Sequence, residues 1–335
     1  MHAAALLIGR RFVRPLARTL AALAVIASGH RAEAQDYPTR PVTLVAPYAA
    51  GGGADLVARL IAQKLGDRLG QSFVVENRLG AGGVIAAASV AKAVPDGATL
   101  FAGTSTQLAI QVTLHKKLPY DPAADFAPIA LVASVPFVLL VHPSLPVHAV
   151  ADLIKLAKEK PGRLSFGSSG VGGPPHLYTE LLKTMTGIEM THIPYKGTAQ
   201  AINDVVAGHV PIIFSDLAPA MALIREGRLR PLGISSATRF ATLPDIPPIA
   251  ETVPGFDAVA WLMVVAPAGT AKEIVGRLSG EIRTIVASPE VQQRLIDLGN
   301  IPLSSPPPDA LQAYVKSEIV RWGKVVHQAG IAGSE

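Results

Sequence analysis

Residues 41–59 constrain the fold more than any other stretch, because a strand pattern, a glycine loop and a helix pattern follow one another directly. The apolar run between Pro41 and Pro47 predicts a short strand buried on both faces. After three glycines, apolar residues recur with helical spacing until Gly70. Glycine has no Cβ, so a ligand can approach the start of this helix, where free N–H groups favour a carboxylate or phosphate. The candidate anion-binding residues of this loop are Gly51, Gly52 and Asp55.

Two well-known phosphate-binding loops do not fit these glycines. No Gly-Lys-Ser/Thr sequence follows them, and the six-residue spacing of dinucleotide-binding loops is absent, so a nucleotide ligand is disfavoured. A purely structural interpretation stays open, since glycine also lets a chain turn from a strand into a helix. Asp55 likewise has two interpretations. It could orient a ligand, or it could complement the helix dipole and pair with Arg59 one turn later.

The first 34 residues predict a cleaved export signal that is not part of the fold. A basic segment precedes the apolar run at residues 20–27, and residues 32–34 form a small-x-small cleavage pattern. The apolar run is too short to span a bilayer. The residues after Arg10 and Arg11 fit the twin-arginine pattern poorly, which favours general secretion. We therefore expect a freely soluble, periplasmic protein.

Composition excludes several classes of protein. The chain has 30 basic and 25 acidic residues, of which the signal holds five and one, so 25 and 24 remain. A nearly neutral chain without clustered Lys and Arg is not expected to bind nucleic acid. The absence of cysteine excludes a disulfide framework and a lipid-anchored cysteine. No later segment is apolar enough to cross a membrane.

Strand and helix patterns alternate from residue 41 onward, which predicts an α/β fold with mainly parallel sheets flanked by helices. The length after the signal suggests two domains. Residues 164–177 repeat the strand, glycine loop and helix, with two prolines in the first helical turn. A predicted strand at 126–135, which Pro136 ends, marks the first crossing between domains, and a second predicted strand follows at 137–141. A predicted strand at 261–266 marks the return crossing. The predicted organisation is a discontinuous first domain, residues 35–136 plus 260–335, a second domain, residues 137–259, and a ligand cleft between them.

Polar residues at the carboxyl ends of predicted strands are further candidates, because open α/β sheets bind ligands there. The hydroxyls of residues 104–106 could donate to a carboxylate, or they could cap the following helix. Asp216 could accept from an ammonium or hydroxyl group of a ligand, or it could cap the next helix. Lys196 could pair with an acidic ligand, although a single loop lysine is usually solvated.

The sequence gives little support to a catalytic site or a metal site. Neither serine of the loop at residues 167–170 has glycines two residues before and after it, so the loop is not a nucleophile elbow. Ser169, His176 and Asp216 could form a triad, but nothing in the sequence determines their geometry, and His176 reads better as a pocket or capping residue. No histidine has a second histidine three or four residues away, and there is no cysteine. We therefore expect no enzyme activity, metal or cofactor.

An ordered series of motifs covers essentially all of the chain after the signal. These motifs resemble those of the exported substrate-binding proteins of tripartite tricarboxylate transporters, also called the Bordetella uptake gene proteins. The sequence departs from that family at Leu79, where proline is usual, at Val84, where asparagine or glycine is frequent, and at Gly173, where serine is common. The motifs are YPTRP (37–41), GGGAD (51–55), VENR (75–78), GAGG (80–83), PDG (95–97), DFAPI (125–129), the loop 167–177, PYKG (194–197), LPDIP (243–247) and APAGT (266–270).

The resemblance implies a two-lobed, type II Venus-flytrap fold that closes on a small organic acid and presents it to membrane transport subunits. In such proteins the loops matching residues 49–55 and 168–173 hold the carboxylate, often through water, and residues near 104–106 and Asp216 help to set specificity. With these positions included, the predicted ligand-binding residues are Tyr48, Ala50, Gly51, Gly52, Asp55, Thr104, Ser105, Thr106, Ser168, Ser169, Gly170, Gly172, Gly173, His176, Lys196 and Asp216.

The sequence does not name the ligand. A monocarboxylate, a dicarboxylate, an amino acid or an aromatic acid would each fit, and a monomer is expected. Two other functions stay open. One is a periplasmic sensor or orphan binder without transport partners, and the other is a secreted serine hydrolase that uses Ser169 and His176.

Overall fold

The computed structural model describes residues 37–195, 197–240 and 242–335. The predicted export signal, residues 1–34, lies outside the described residues. All strands and helices of the described part fall within residues 40–335. None of the helices in these ranges combines the length and the apolar character needed to span a bilayer.

The strands of the described part form two groups that share β4. In the first group, β1 pairs in parallel with β2 and β3, while β9 pairs antiparallel with β3 and β4, and β10 with β4. In the second group, β5 pairs in parallel with β6 and β7, while β4 pairs antiparallel with β7 and β8. The strands are β1 (Val42–Ala46), β2 (Phe73–Asn77), β3 (Thr99–Thr104), β4 (Phe126–Val141), β5 (Ser165–Ser168), β6 (Thr191–Pro194), β7 (Ile212–Asp216), β8 (Arg230–Ile234), β9 (Val259–Pro267) and β10 (Ile301–Pro302).

A single strand, β4, replaces the two strands that the sequence predicts on either side of Pro136. That proline reads as the end of a strand, but β4 continues from Phe126 to Val141. Up to Pro136 the strand pairs with β9, and from Phe137 it pairs with β7 and β8. The missing N–H of the proline therefore falls where β4 changes partners, so a strand can tolerate it there. The interpretation of Pro136 as a strand end was wrong, whereas the domain boundaries at residues 136 and 260 stay a prediction.

Helices flank both groups of strands, and the two helices that follow the glycine loops begin where the sequence predicts. The first of them ends at Gly70, whose φ of 71° is the left-handed conformation that closes many helices. The helices are α1 (Gly53–Leu69), α2 (Val84–Ala91), α3 (Gln111–Leu114), α4 (Val150–Glu159), α5 (Pro174–Thr186), α6 (Thr198–Val206), α7 (Leu217–Arg225), α8 (Lys272–Ala287), α9 (Pro289–Asp297) and α10 (Pro308–Gln328), with a π-helical turn (Thr106–Ile110) before α3.

The C-terminal helix α10 connects the two groups through aromatic and polar contacts. Its Trp322 stacks on Tyr178 of α5, with ring centroids 5.6 Å apart. The buried carboxylate of Glu318 accepts hydrogen bonds from Nε1 of Trp261 in β9, at 2.8 Å, and from Nε1 of Trp322, at 3.2 Å. Both tryptophans therefore lie where the two groups meet. Trp261 and Trp322 are the only tryptophans of the chain.

Candidate functional site

In both groups, the parallel strands have their carboxyl ends near the middle of β4. Strands β1 and β3 run in the direction of β4, because β9 is antiparallel to β3 and β4, whereas β5 and β7 run against β4. Thr104 at the end of β3 pairs with Leu262, which pairs with Ala133 of β4, and Asp216 at the end of β7 pairs with Phe137. Along β4 these two points are four residues apart, which corresponds to about 13 Å. The predicted residues of the two groups therefore converge.

Both glycine loops lead into helices that have no side-chain cap. Gly52 precedes α1 and Gly173 precedes α5, each with φ −71° and ψ 160°, and no side chain accepts a hydrogen bond at either N-cap. Pro174 and Pro175 remove two N–H groups from the first turn of α5. Among the described residues, no capping side chain therefore offers an acceptor to the positive end of either helix dipole.

Asp55 holds the first loop together. Its side chain is fully buried, and it accepts hydrogen bonds from the backbone N–H of Gly51 at 2.8 Å, Nε of Arg59 at 2.9 Å and Nδ2 of Asn77 at 2.7 Å. Burial opposes the ionisation of Asp55, but these donors outweigh it and keep the pKa of the carboxyl below its usual value. Asn77 also donates to the carbonyl of Tyr48 at 2.8 Å, so one cluster fixes both sides of the loop.

This geometry favours the structural interpretation of Asp55 over direct ligand contact. Both carboxylate oxygens are occupied by protein donors, whereas Ala50, Gly51 and Gly52 in the same loop are exposed. A carboxylate ligand could use the exposed backbone of the loop, but a ligand group could reach Asp55 only by displacing its protein donors.

A closed ring of hydrogen bonds joins Tyr48, Thr104 and Gln107. The Gln107 amide is oriented without ambiguity, because Nε2 lies 2.7 Å from the carbonyl of Gly82 and Oε1 accepts from the Thr104 backbone N–H at 3.1 Å. Nε2 then also donates to the Tyr48 hydroxyl at 3.1 Å, and Oε1 accepts from the Thr104 hydroxyl at 2.9 Å. Tyr48 must therefore donate to Thr104, across 2.9 Å, to close the ring.

The ring determines which hydroxyls at the end of β3 can donate to a ligand. It uses the protons of Tyr48 and Thr104, so neither of these two predicted residues has a proton left to donate to a ligand. The neighbouring Ser105 and Thr106 are 1% and 8% exposed, and neither hydroxyl has a hydrogen-bond partner within the part of the chain that the structure describes. A buried hydroxyl without a partner costs about 1–3 kcal/mol, so a ligand or water is expected to satisfy both.

Hydrogen bonds with the buried side chains of Ser168 and His176 support the second glycine loop. The Ser168 hydroxyl is within 3.0 Å of the Gly170 carbonyl and 3.1 Å of the Gly170 N–H. The backbone N–H of Gly172 donates to Nδ1 of His176 at 3.1 Å. Ser168 and His176 are buried, whereas Ser169 is only partly buried. Ser168 and His176 thus support the loop, and Ser169 is the more accessible of the two serines.

His192 completes this support, although the sequence analysis did not identify it. Its Nε2 lies 2.6 Å from the Ser168 hydroxyl, and its ring stacks on His176, with centroids 3.8 Å apart and planes inclined by 8°. Burial, with repulsion from nearby His192 and Lys183, lowers the pKa of His176 to about 3, and burial with repulsion from Lys183 lowers the pKa of His192 to about 4. Both imidazoles are therefore neutral at physiological pH.

The Ser169–His176–Asp216 triad, which the sequence left open as an alternative, does not form among the described residues. Nδ1 of His176 accepts from Gly172, and its Nε2 faces Glu180 Oε1 at 3.7 Å, so neither nitrogen is directed to Ser169. At the second glycine loop, the serine–histidine pair that forms is Ser168 with His192, and its hydroxyl is fully buried. A nucleophile must reach its substrate, so this pair is poorly suited to catalysis.

Asp216 lies at the end of β7 with a partly buried side chain, and no hydrogen-bond partner for its carboxylate occurs within the described ranges. Burial raises the pKa of this carboxyl from 3.8 to about 6. The buried hydroxyl of Tyr178 also has no hydrogen-bond partner among the described residues. Burial, together with nearby charges that include Asp216, raises the pKa of Tyr178. Lys196 lies outside the described residues, so its predicted role stays a prediction.

A direct contact joins the second glycine loop to helix α3 of the first group. Gly172 adopts a φ of 70°, and a Cβ at this position would overlap the side chain of Leu114 in α3. Only glycine combines this backbone conformation with so close an approach. Two surface cavities, of about 550 and 640 Å³, lie elsewhere and contain none of the predicted ligand-binding residues; their linings include Lys155 and Arg283 respectively.

Comparison with known proteins identifies close relatives over nearly the whole chain. The family model described as tripartite tricarboxylate transporter family receptor matches residues 57–331. The protein BugT of Bordetella pertussis (strain Tohama I) is 36% identical over 299 residues, which cover 89% of this chain and 91% of BugT.

Solved structures agree with this match. The structure described as R. palustris Rpa4515 with adipate is 43% identical, with a TM-score of 0.80, and the match covers 88% of this chain and 99% of that one. MatC (Rpa3494) from Rhodopseudomonas palustris, solved with bound malate, is 35% identical with a TM-score of 0.75, over 87% of this chain and 100% of that one. The predicted two-lobed α/β binding-protein fold is thereby confirmed.

Proposed function

Because the chain belongs to the tripartite tricarboxylate transporter family of receptors, we propose that it is a periplasmic solute-binding protein. It captures a small organic carboxylate between its two lobes, closes on it and delivers it to the membrane subunits of a transporter. The basic and apolar leader within residues 1–34 supports export. The relatives described with adipate and malate support a carboxylate ligand.

The observation that carries the proposal is the pair of buried, unpartnered hydroxyls of Ser105 and Thr106. They lie at the carboxyl end of β3, which is the end of a parallel sheet where α/β proteins bind ligands. Their protons are not used by the ring of Tyr48, Thr104 and Gln107. A carboxylate has only acceptors to offer, so it complements two free hydroxyl donors and two uncapped helix N-termini.

The binding site is tested by removing both hydroxyls with little change of shape, in the double variant Ser105→Ala/Thr106→Val. Adipate and malate serve as the first probes, and calorimetry measures the dissociation constant. We expect the double variant to bind the carboxylate at least about tenfold more weakly, since hydrogen bonds to a charged group contribute about 1.5–3 kcal/mol. Ser279→Ala is the matched control, because Ser279 also has a buried hydroxyl without a partner but lies in α8. Unchanged affinity in the double variant would contradict the site.

Closure is tested with the two native tryptophans. Trp261 and Trp322 both donate to Glu318, and Trp322 also stacks on Tyr178 across the two groups of strands. A change in the angle between the lobes should alter these contacts and therefore the emission spectrum. We expect a saturable change in tryptophan fluorescence with the same midpoint as calorimetric binding. Calorimetric binding without any change in emission would contradict closure.

Delivery to a transporter is tested in cells. Uptake of radiolabelled carboxylate should require both this protein and membrane subunits of the tripartite tricarboxylate type. Uptake that does not change when this protein is removed would favour a sensor or orphan binder with the same pocket.

A further inference from the structure

We infer that His176 and His192 are positioning residues of the second glycine loop, which hold the loop in its binding shape without touching the ligand. The inference deepens the proposed function and rests on it for its effect on affinity. It begins with two hydrogen bonds that leave the loop on its buried side, from the Gly172 N–H to His176 and between Ser168 and His192.

The directions of these hydrogen bonds follow from the partners. A backbone N–H can only donate, so Nδ1 of His176 carries no proton and Nε2 carries it. The Gly170 carbonyl can only accept, so the Ser168 hydroxyl donates to it, and Nε2–H of His192 donates to Ser168. Both rings are then neutral imidazoles protonated at Nε2.

The two histidines select which N–H groups remain for a ligand. The N–H groups of Gly170 and Gly172 are bound to Ser168 and His176. Alternating with them, the N–H groups of Ser169 and Val171 have no hydrogen-bond acceptor among the described residues. Because every second N–H is bound within the protein, the direction of the N–H groups between them is fixed. Successive backbone N–H groups fixed in this way can form a concavity that binds an anion.

The environment of the pair keeps both rings neutral. His192 also stacks on Phe166, its neighbour across the β5–β6 pairing, with centroids 5.0 Å apart. Of the charged groups that face the pair, Lys183 lies 5.8 Å above the Phe166 ring and is paired with the buried carboxylate of Glu180. A proton on His176 Nδ1 would point at the Gly172 N–H and break the hydrogen bond that holds the loop.

The variants separate the hydrogen bonds from the ring packing. His176→Phe and His192→Phe keep a flat ring in the stack but remove one hydrogen bond each. His176→Asn restores an acceptor for the Gly172 N–H and tests rescue. His148→Phe is the control, because His148 is exposed and only its backbone N–H, not its imidazole, makes a hydrogen bond.

The first measurement needs no ligand. Long-range ¹H–¹⁵N spectra of the imidazoles should show two rings that stay neutral and protonated at Nε2 at both pH 7 and pH 5, with one signal lost in each phenylalanine variant. Amide hydrogen exchange at Gly170 and Gly172 should accelerate about five- to tenfold in these variants, return toward the wild-type rate in His176→Asn, and not change in His148→Phe. Rings that titrate near pH 6.5, or unchanged exchange, would overturn the inference.

The second measurement uses adipate and malate as probes. The dissociation constant of a bound probe should rise about fivefold or more in His176→Phe and His192→Phe, and it should recover in His176→Asn. Faster amide exchange combined with unchanged affinity would overturn the positioning role. If neither probe binds the wild-type protein, the proposed function loses its support, while the spectra and the exchange rates still decide how the loop is held.

Discussion

Replacing Asp216 with asparagine should stabilise the ligand-free protein increasingly as the pH rises from 4 to 7. The carboxyl of Asp216 has no hydrogen-bond partner within the described ranges, and burial raises its pKa from 3.8 to about 6. Below pH 3.8 the acid is neutral in both the folded and the unfolded chain. Between pH 3.8 and 6 the folded chain holds its proton more tightly, so stability declines as the pH rises, and above pH 6 the loss is complete. Asparagine is neutral throughout and is not affected.

The magnitude follows from the two pKa values. Each pH unit between them corresponds to about 1.4 kcal/mol, so the interval from 3.8 to about 6 corresponds to about 3 kcal/mol. The side chain of Asp216 is only partly buried, and solvent screening reduces the effect to about 1–3 kcal/mol. The stability difference between Asp216→Asn and the wild type should therefore become more favourable to the variant by this amount between pH 4 and 7.

Urea unfolding of both proteins at several pH values between 4 and 7.5 measures this difference. Asp245→Asn is the control, because Asp245 is exposed and no described group is paired with it. Its stability difference from the wild type should not vary with pH. A difference for Asp216→Asn that stays constant between pH 4 and 7.5 would refute the reasoning, since it would mean that the folded chain does not raise the pKa of this carboxyl.

Three further predictions concern the loops. Asp55→Ala should destabilise the protein by about 1–3 kcal/mol in urea unfolding, because it leaves the Gly51 N–H and the Asn77 amide without their acceptor; a loss below about 0.5 kcal/mol would contradict this. Tyr48→Phe should change the affinity for a carboxylate less than about threefold in calorimetry, since the Tyr48 proton is used by Thr104, and a tenfold loss would argue against the ring. Gly172→Ala should weaken binding, and adding Leu114→Ala should partly restore it; no recovery would contradict a contact between the second glycine loop and α3.

Local patterns in the sequence predicted the elements around the site. Glycine loops followed by amphipathic helices carry their own start and stop signals, so the beginnings of α1 and α5 and the end at Gly70 could be derived from nearby residues. The strands that end at Thr104 and Asp216 were also predicted, because buried strands read as short apolar runs. The family motifs then predicted the two-lobed fold, which the solved relatives confirm.

Contacts between distant residues could not be derived in the same way. Asp55 has an equally good local interpretation as a ligand group, and only Asn77, 22 residues away, identifies it as a buried anchor of the loop. Gln107 and His192 act through partners 59 and 24 residues away. Pro136 reads as a strand end because its role depends on where β4 changes partners. In each case the decisive information is the pairing of strands and loops, which a periodic pattern does not contain.

We propose that the protein binds a small organic carboxylate through the charge of the ligand. A thermal-shift measurement that compares adipate and malate with their neutral diamides tests it most directly. A ligand at about 100 times its dissociation constant stabilises the folded state by about 2.7 kcal/mol, which raises the melting temperature by several degrees. We predict such a shift with at least one of the acids and none with its diamide. An equal shift with acid and diamide, or no shift with either acid, would contradict the account.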